Sequence, residues 1–245
     1  MLEIESLTKR FDAVTAVAEL SLTVRPGEVL GFLGPNGAGK TTTMKMLTGF
    51  LAPDGGAARI CGHDIVSDTI AAQRRIGYLP EGAPAYGEMT PREFLTFVAG
   101  VRGLKGAAAS DACAIAASRT ALAAVYDRPI ETLSKGFRRR VGLAQAILHD
   151  PEVLILDEPT DGLDPNQKHA VRELIRAISP AKTIVISTHL LEEVEAICTR
   201  AVIIERGNLV ADGTPAELMA KAPNGRLDDL FRSLTTSDVS AGTAA

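Results

Sequence analysis

Apolar and polar residues follow two different patterns along the chain. Near the N-terminus, residues 2–24 alternate between apolar and polar side chains, which is typical of strands with one face in solvent. Later runs are almost wholly apolar and predict strands that are buried on both faces, as in a parallel sheet. These runs, with two that predict a sheet edge, cover residues 29–33, 74–81, 153–156, 183–187, 201–204 and 207–210. The strand pattern therefore predicts a mostly parallel sheet and an antiparallel N-terminal part.

Between about residues 83 and 148 this strand pattern gives way to helical spacing. Thr90-Pro91-Arg92-Glu93 forms a predicted capping box with proline at the first helical position. The apolar residues that follow share one helical face, namely Phe94, Leu95, Val98 and Val101. Ser134 is expected to cap another helix, which contains the basic run 138–140. Because that run is isolated, we interpret it as a solvated helix face. Residues 83–148 are therefore predicted to be an inserted α-helical subdomain.

Length and composition fit one large domain. The chain has 245 residues, of which 46% are hydrophobic and 23% charged, so it can bury a sizeable core. We assign residues 1–225 to this domain. Residues 226–245 are expected to form a flexible C-terminal tail, because the chain beyond Thr235 consists mainly of Ser, Thr, Ala and Gly.

Charge and cysteine content indicate which partners and which cellular compartment to expect. The net charge is −4 with both signs interspersed, which argues against nucleic acid as a partner. Three cysteines lie far apart without zinc spacing, as expected of reduced thiols in a cytosolic protein. The first residues have no secretory signal pattern, and no apolar run approaches the roughly 18 residues of a membrane span. We therefore expect a cytoplasmic chain that does not cross a membrane by itself.

The first chemical motif is Gly34-Pro35-Asn36-Gly37-Ala38-Gly39-Lys40-Thr41, which stands between a predicted strand and a predicted helix. Glycines allow such a loop to turn its backbone N–H groups toward phosphate oxygens, and the helix N-terminus adds a positive dipole end. Lys40 can reach the β- and γ-phosphates, and the Thr41 hydroxyl can bind Mg²⁺. A glycine-rich turn that ends in Lys-Thr by chance is the weaker alternative, because the flanking elements are those that a phosphate-binding loop needs.

Polar side chains follow three of the predicted buried strands. Asp157 and Glu158 end one strand, His189 lies just beyond another, and Glu81 follows the third. Ligands bind at this edge of a parallel sheet, so Asp157 is expected to support Mg²⁺ and Glu158 to orient or deprotonate a water molecule. Phe11 lies in the first turn region, where it either stacks on adenine or, as position alone favours, belongs to the core.

Together, these motifs resemble the ATP-binding subunit of ABC transporters. The resemblance covers about residues 2–218 and rests on five motifs: the phosphate loop, Leu133-Ser134-Lys135-Gly136-Phe137, Leu154-Ile155-Leu156-Asp157-Glu158-Pro159-Thr160, Gly162-Leu163-Asp164-Pro165 and Ser187-Thr188-His189. The fold it implies is α/β, with a P-loop NTPase core, an antiparallel N-terminal β subdomain and the inserted α-helical subdomain. Leu133–Phe137 and Tyr78-Leu79-Pro80-Glu81 look most like the export branch.

The resemblance also implies roles within one nucleotide site. Phe11 stands where an aromatic residue stacks on adenine, and the stretch from Asn36 to Thr42 holds the triphosphate of ATP. Asp157 supports Mg²⁺, Glu158 polarises the attacking water, and His189 contacts the γ-phosphate and links it to Glu158. The implied cofactors are therefore ATP and Mg²⁺, and the implied reaction is ATP hydrolysis.

A second set of residues is implied to act on the site of a partner subunit. Ser134 and Gly136 lie at a helix N-terminus that would point at the γ-phosphate held by the other subunit, and such helix ends bind anions. Asp164 lies in the loop that meets the partner. The resemblance thus implies a nucleotide-sandwich dimer, either of identical chains or with a related second subunit.

Two positions depart from the usual pattern of the family. Glu81 stands where glutamine is usual; its carboxylate can still take a Mg²⁺ or water position, but its charge would alter Mg²⁺ affinity. The signature reads Leu-Ser-Lys-Gly-Phe where Leu-Ser-Gly-Gly-Gln is common. Lys135 either adds a charge near the phosphates or faces solvent, and Phe137 cannot make the polar contacts of glutamine. Neither change removes the Ser134 hydroxyl, so we still expect hydrolysis.

The function implied is that of a motor subunit of an exporter, powering a separate transmembrane permease subunit. Such a protein is peripheral on the cytoplasmic face of the cell membrane. The helical insertion, from Gly87-Glu88-Met89-Thr90 through Leu104, is expected to receive a coupling helix of the permease. Two alternatives remain: a non-transport ABC ATPase acting on nucleic acid or the ribosome, and a regulatory nucleotide-binding module without turnover.

Overall fold

The structure, a computed structural model, describes residues 1–222 and 224–235, which alternate strands with helices. The strands are β1 (Leu2–Phe11), β2 (Val14–Val24), β3 (Val29–Leu33), β4 (Gly55–Ile60), β5 (His63–Asp64), β6 (Ile76–Leu79), β7 (Val153–Asp157), β8 (Thr183–Thr188), β9 (Arg200–Glu205) and β10 (Asn208–Gly213). The α-helices are α1 (Lys40–Leu47), α2 (Thr69–Arg74), α3 (Pro91–Val101), α4 (Gly106–Arg119), α5 (Lys135–Ile147), α6 (Pro165–Ile178), α7 (Leu191–Ile197), α8 (Pro215–Ala220) and α9 (Leu227–Thr235).

The larger sheet has six strands in the order β10-β9-β3-β8-β7-β6. All neighbouring pairs from β9 to β6 are parallel, and β10 joins as an antiparallel edge strand. Every residue of β3, β7 and β8 is buried, because helices cover both faces of the sheet. The predicted mostly parallel core and its two-stranded edge are thereby confirmed.

The smaller sheet is antiparallel and has the order β2-β1-β4-β5. Its strands alternate buried and exposed positions over much of their length, as the N-terminal sequence pattern predicted. Met44, Met46 and Leu47 of α1 belong to the same buried cluster as Leu2 of β1 and Phe32 of β3. The helix that follows the phosphate loop is therefore packed between the two sheets.

Helices α3, α4 and α5 lie between β6 and β7, where the sequence predicted an α-helical insertion. The capping box at α3 is present: Thr90 Oγ1 accepts a hydrogen bond from Glu93 N, and the Glu93 carboxylate accepts one from Thr90 N at 2.8 Å. The predicted apolar face is wrong at Val101, which is 70% exposed. Val101 is the last residue of α3 and lines an open groove, so most of its side chain is open to solvent.

The C-terminal boundary also differs from the prediction. Residues 227–235 form α9, and its Leu227 and Leu230 are buried in the same core cluster as Leu218 of α8. The predicted flexible tail therefore began too early, because Leu227, Leu230 and Leu234 form the apolar face of a packed helix. Residues 236–245, the remainder of that prediction, lie outside the described residues. No helix in the described part of the chain is long and apolar enough to span a bilayer.

Candidate functional site

The phosphate loop connects β3 to α1 and depends on its glycines. Gly37 and Gly39 have φ values of +81° and +104°, a region that residues with a side chain rarely adopt. A Cβ at Gly39 would also lie 3.4 Å from Val17 Cγ2 and even closer to the backbone oxygen of Ala16 in β2. The loop therefore lies directly against β2, and α1 begins at Lys40 with its free N–H groups toward the loop.

Lys40 lies folded over its own loop. Lys40 is only 6% exposed, and its Nζ donates hydrogen bonds to the carbonyl oxygens of Gly34 (2.6 Å) and Pro35 (3.0 Å). Burial lowers the pKa of Lys40, while the carboxylates of Glu158, Asp157 and Glu81 raise it. The ammonium group is thus buried beside three carboxylates, where phosphate oxygens can replace the two carbonyls as its acceptors.

The predicted metal ligands lie around one cleft of about 770 Å³, which Thr41, Glu81 and Asp157 all line. Asp157 is 1% exposed; its Oδ1 accepts a hydrogen bond from Ser187 Oγ on the neighbouring strand, whereas its Oδ2 has no partner among the described residues. A buried carboxylate oxygen without a partner is costly unless water or a cation completes it. Carboxylate and hydroxyl oxygens are ligands that suit Mg²⁺, so this donor set fits that ion.

The protein offers two carboxylates at this site, Glu81 and Asp157, together with the Thr41 hydroxyl. Within residues 1–222 and 224–235, no group of three or more His, Cys, Asp or Glu side chains is arranged to bind a metal ion. Mg²⁺ commonly keeps several waters and binds through one or two carboxylates together with substrate phosphates. The arrangement therefore suits a cation that arrives with a nucleotide.

Glu158 and His189 lie together at the ends of the adjacent strands β7 and β8. The Glu158 backbone is in the left-handed region, with φ of +49°, and its N–H donates to the carbonyl oxygen of Ser187 at 3.0 Å. His189 Nδ1 is 2.9 Å from Glu158 Oε1. The Glu158 side chain is 18% exposed and that of His189 45% exposed, so the carboxylate is oriented by protein and open to water. Such a pair can accept a proton from a water molecule.

Two residues that position this site were missed in the sequence. Ser187 links β8 to Asp157, as described above. Arg139 is 4% exposed and donates hydrogen bonds to the carbonyl oxygens of Pro80, at 3.3 Å, and of Glu158. The prediction that residues 138–140 form a solvated helix face is therefore wrong for Arg139. Its position three residues after Gly136 and three before Gly142, both buried in α5, is the signal that could have revealed it.

The residues expected to act on a partner subunit lie at two helix N-termini. Ser134 caps α5 and accepts a hydrogen bond from Phe137 N, whereas Asp164 caps α6 and accepts one from Gln167 N at 2.9 Å. The predicted cap at Ser134 is confirmed, and Asp164 is the N-cap of α6. Gly136 is buried, and a Cβ there would lie 2.9 Å from Cδ of Gln167. The Gln167 side chain thus covers the backbone that was expected to face a partner's phosphate.

Phe11 is the last residue of β1 and is 47% exposed, and Lys9 Nζ lies 5.6 Å from the centre of its ring. The alternative that Phe11 belongs to the core is therefore wrong. An exposed ring is free to stack on a base.

A hairpin turn ties β2 to the phosphate loop. Gly207, between β9 and β10, donates its N–H to the carbonyl oxygen of Ala38 at 2.9 Å, and its own carbonyl accepts from Ala18 N at 2.9 Å. The smaller sheet, which carries Phe11, and the phosphate loop are thus hydrogen-bonded to the same residue.

Comparisons with known proteins agree with this geometry. The sequence model of the family described as ABC transporter matches residues 17–161. Nod factor export ATP-binding protein I of Paraburkholderia xenovorans (strain LB400) is 40% identical over 220 residues, covering 89% of this chain and 72% of that protein. The probable multidrug ABC transporter ATP-binding protein YbhF of Escherichia coli (strain K12) is 34% identical over 230 residues, covering 94% of this chain and 40% of that protein.

A solved structure supports the same assignment at the level of the fold. An ATP-binding subunit of an ABC transporter superposes with a TM-score of 0.87 at 30% identity, covering 96% of this chain and 99% of that one. The resemblance inferred from the sequence motifs is thus confirmed. The chain belongs to the ABC transporter family, as one of its ATP-binding and ATP-hydrolysing motor subunits.

Proposed function

We propose that this chain hydrolyses Mg²⁺-ATP to power an exporter, with Glu158 as the general base. The Glu158–His189 contact of 2.9 Å, at the strand ends that also carry Asp157, is the observation on which the proposal rests. Relatives named as export and multidrug ATP-binding proteins favour the exporter branch. A regulatory module without turnover has no need of an oriented carboxylate beside a phosphate-binding loop.

In this proposal the chain positions the nucleotide and disperses its charge. Phe11 stacks on adenine, while the loop 34–39 and the α1 N-terminus bind the phosphates together with Lys40, Thr41 and Thr42. Thr41, Asp157 and Glu81 would hold Mg²⁺, which supplies a countercharge to the β- and γ-phosphates. Glu158 accepts the proton of the attacking water, and His189 keeps the Glu158 carboxylate in place.

Glu158→Gln tests the general base, because glutamine keeps the shape of the side chain but cannot accept the proton. We expect the dissociation constant for ATP to stay within about threefold of the wild-type value, and kcat to fall by about 100-fold or more. Lys40→Ala is the companion variant, and it should weaken ATP binding. An unchanged kcat in Glu158→Gln would remove Glu158 from this role.

The dimeric state is a further part of the proposal. Ser134, Gly136 and Asp164 would meet a second ATPase domain, of the same or a related chain, across the nucleotide. Gln167 covers Gly136 in the single chain, so its side chain has to move when that partner binds. Light scattering of Glu158→Gln with and without Mg²⁺-ATP is the test. A shift from one chain to two is expected, and a mass that ATP leaves unchanged would argue against a dimer of identical chains.

A permease would dock on the groove between the α-helical subdomain and the larger sheet. Four apolar side chains line this groove and are 46–73% exposed, namely Phe50, Ile70, Phe97 and Val101. A separate transmembrane permease with an apolar coupling helix fits this surface and would hold the chain on the cytoplasmic face of the membrane.

Affinity capture from detergent-solubilised membranes tests this docking. A multi-span membrane protein should copurify with the wild-type chain and be lost from Val101→Asp. The control is Val66→Asp, which changes an equally apolar residue that is 59% exposed and lies outside the groove. Copurification of ribosomal proteins or nucleic acid instead would favour the non-transport alternative.

A further inference from the structure

Helix α5 holds the loop after Glu158 at two points. Lys135 and Arg139 are four residues apart and therefore lie on one face of the helix. Arg139 donates a hydrogen bond to the carbonyl oxygen of Glu158, and Lys135 Nζ lies 2.8 Å from Asp161 Oδ2. The same face of α5 thus binds this loop, residues 158–164, both at the candidate general base and three residues beyond it.

The contact of Lys135 includes packing as well as charge. A Cβ at Gly162 would lie 2.6 Å from each of Cδ, Cε and Nζ of Lys135. The lysine side chain therefore lies flat across the loop backbone, where Gly162 has φ of +70°. The charges meet at the far end of this packed chain, and the Lys135 hydrogen bond is the main reason that the pKa of Asp161 is lowered.

Lys135 does not favour the helix that it begins. It is the first residue of α5, and the first turn contains no acidic side chain. A positive charge at a helix N-terminus is opposed by the helix dipole. The favourable interactions of Lys135 are therefore those with the loop. The common form of the family signature has glycine at this position, which cannot make that contact.

We propose that Lys135 is a positioning residue that, through Asp161 and Gly162, holds the loop 158–164 so that Glu158 stays correctly oriented for hydrolysis. The proposal rests on the ATPase function proposed above and names a further residue on which that activity depends. Lys135 acts through the loop, whereas ATP is bound by residues 34–42. Its loss should consequently lower kcat while leaving nucleotide affinity unchanged.

A double-mutant cycle on the full chain tests the pair. Lys135→Ala, Asp161→Ala and the double variant are compared for kcat, for the KM of Mg²⁺-ATP and for the dissociation constant of ATP. Each single variant should lower kcat by about threefold or more, with the dissociation constant within about twofold, and the double variant should lose no more than the worse single one. Lys105→Ala, which removes an exposed lysine before α4, is the charge-matched control and should behave as wild type.

Two rescue variants separate positioning from a general loss of structure. Lys135→Arg keeps a cation that can reach Asp161 and should retain most of the wild-type kcat. Exchanging the charges, with Lys135→Asp and Asp161→Lys together, should recover kcat relative to Lys135→Asp alone, and the acid would also suit the helix N-terminus. A merely structural defect would weaken ATP binding and lower the free energy of unfolding as well as kcat.

Two results with the alanine variants would overturn the proposal: a wild-type kcat in Lys135→Ala, or multiplicative losses in the double variant. Loss of activity in Lys135→Arg equal to that of Lys135→Ala would overturn it as well. A wild-type chain that binds ATP but never hydrolyses it would instead refute the proposed ATPase mechanism. Failure of the Lys135 proposal can therefore be told apart from failure of the ATPase mechanism, because the former is seen only when the wild-type chain hydrolyses ATP.

Discussion

Arg139 offers the sharpest test of how helix α5 stabilises the site. Its guanidinium is buried and donates to two carbonyl oxygens, those of Pro80 after β6 and Glu158 after β7. Hydrogen bonds from a charged group contribute about 1.5–3 kcal/mol each, and the 3.3 Å contact to Pro80 belongs at the lower end. Replacing Arg139 by methionine would leave both carbonyl oxygens without this donor.

The loss of these hydrogen bonds is offset in part, because burying the neutral methionine side chain avoids the cost of removing a charged guanidinium from water. Burial lowers the pKa of Arg139, which records that cost, while Asp161, Glu158, Asp157 and Glu81 act to raise it. Two such hydrogen bonds amount to about 3–6 kcal/mol, and the partial offset brings the expected destabilisation for Arg139→Met down to about 2–4 kcal/mol.

Urea unfolding of the nucleotide-free chain at pH 7, followed by circular dichroism, measures this difference. Arg140→Met is the matched control, because Arg140 contributes chiefly a cation–π contact of 5.4 Å to Phe137. That contact is expected to contribute about 0.5–1 kcal/mol. Equal losses in the two variants, or a loss below about 1 kcal/mol in Arg139→Met, would refute the reasoning.

Two further predictions concern a buried acid and an exposed ring. Burial raises the pKa of Glu193, so the native state pays for its charge at pH 7, and Glu193→Gln should stabilise the fold there by about 1 kcal/mol. That gain should shrink as the pH falls to the usual glutamate value of 4.5, where the unfolded chain is also protonated; a gain that does not change between pH 7 and 4.5 in urea unfolding would contradict it. Phe11→Ala should weaken ATP binding by about 1–3 kcal/mol in calorimetry, without changing the free energy of unfolding, if the ring stacks on adenine.

The elements that the sequence predicted well are those set by local rules. The strands β3, β7 and β8 are short apolar runs that need cover on both faces, and such runs have few alternatives. The caps at Thr90 and Ser134 depend on residues three positions away in the chain. Information of this kind lies within a few residues, so it can be recognised without the fold.

The features that were missed depend on neighbours distant in the chain. Arg139 is buried because the ends of β6 and β7 offer carbonyls to it, and no local pattern in a basic run reveals that. Gln167 covers Gly136 only because α5 and α6 begin side by side. The pair of Lys135 and Asp161 likewise spans 26 residues of sequence, so its two charges looked like separate surface groups.

The turn at Gly207 has a practical consequence for labelling this protein. Exposed hairpin turns are common choices for inserting tags and fluorophores. Here an insertion would break the hydrogen bonds that join Gly207 to Ala38 and Ala18, and even a methyl group at Gly207 would come within 2.8 Å of the Ala16 carbonyl oxygen. A probe at Gly100, an exposed position of α3 where a Cβ would meet nothing within 4 Å and φ is not positive, is expected to report on the protein without disturbing its nucleotide site.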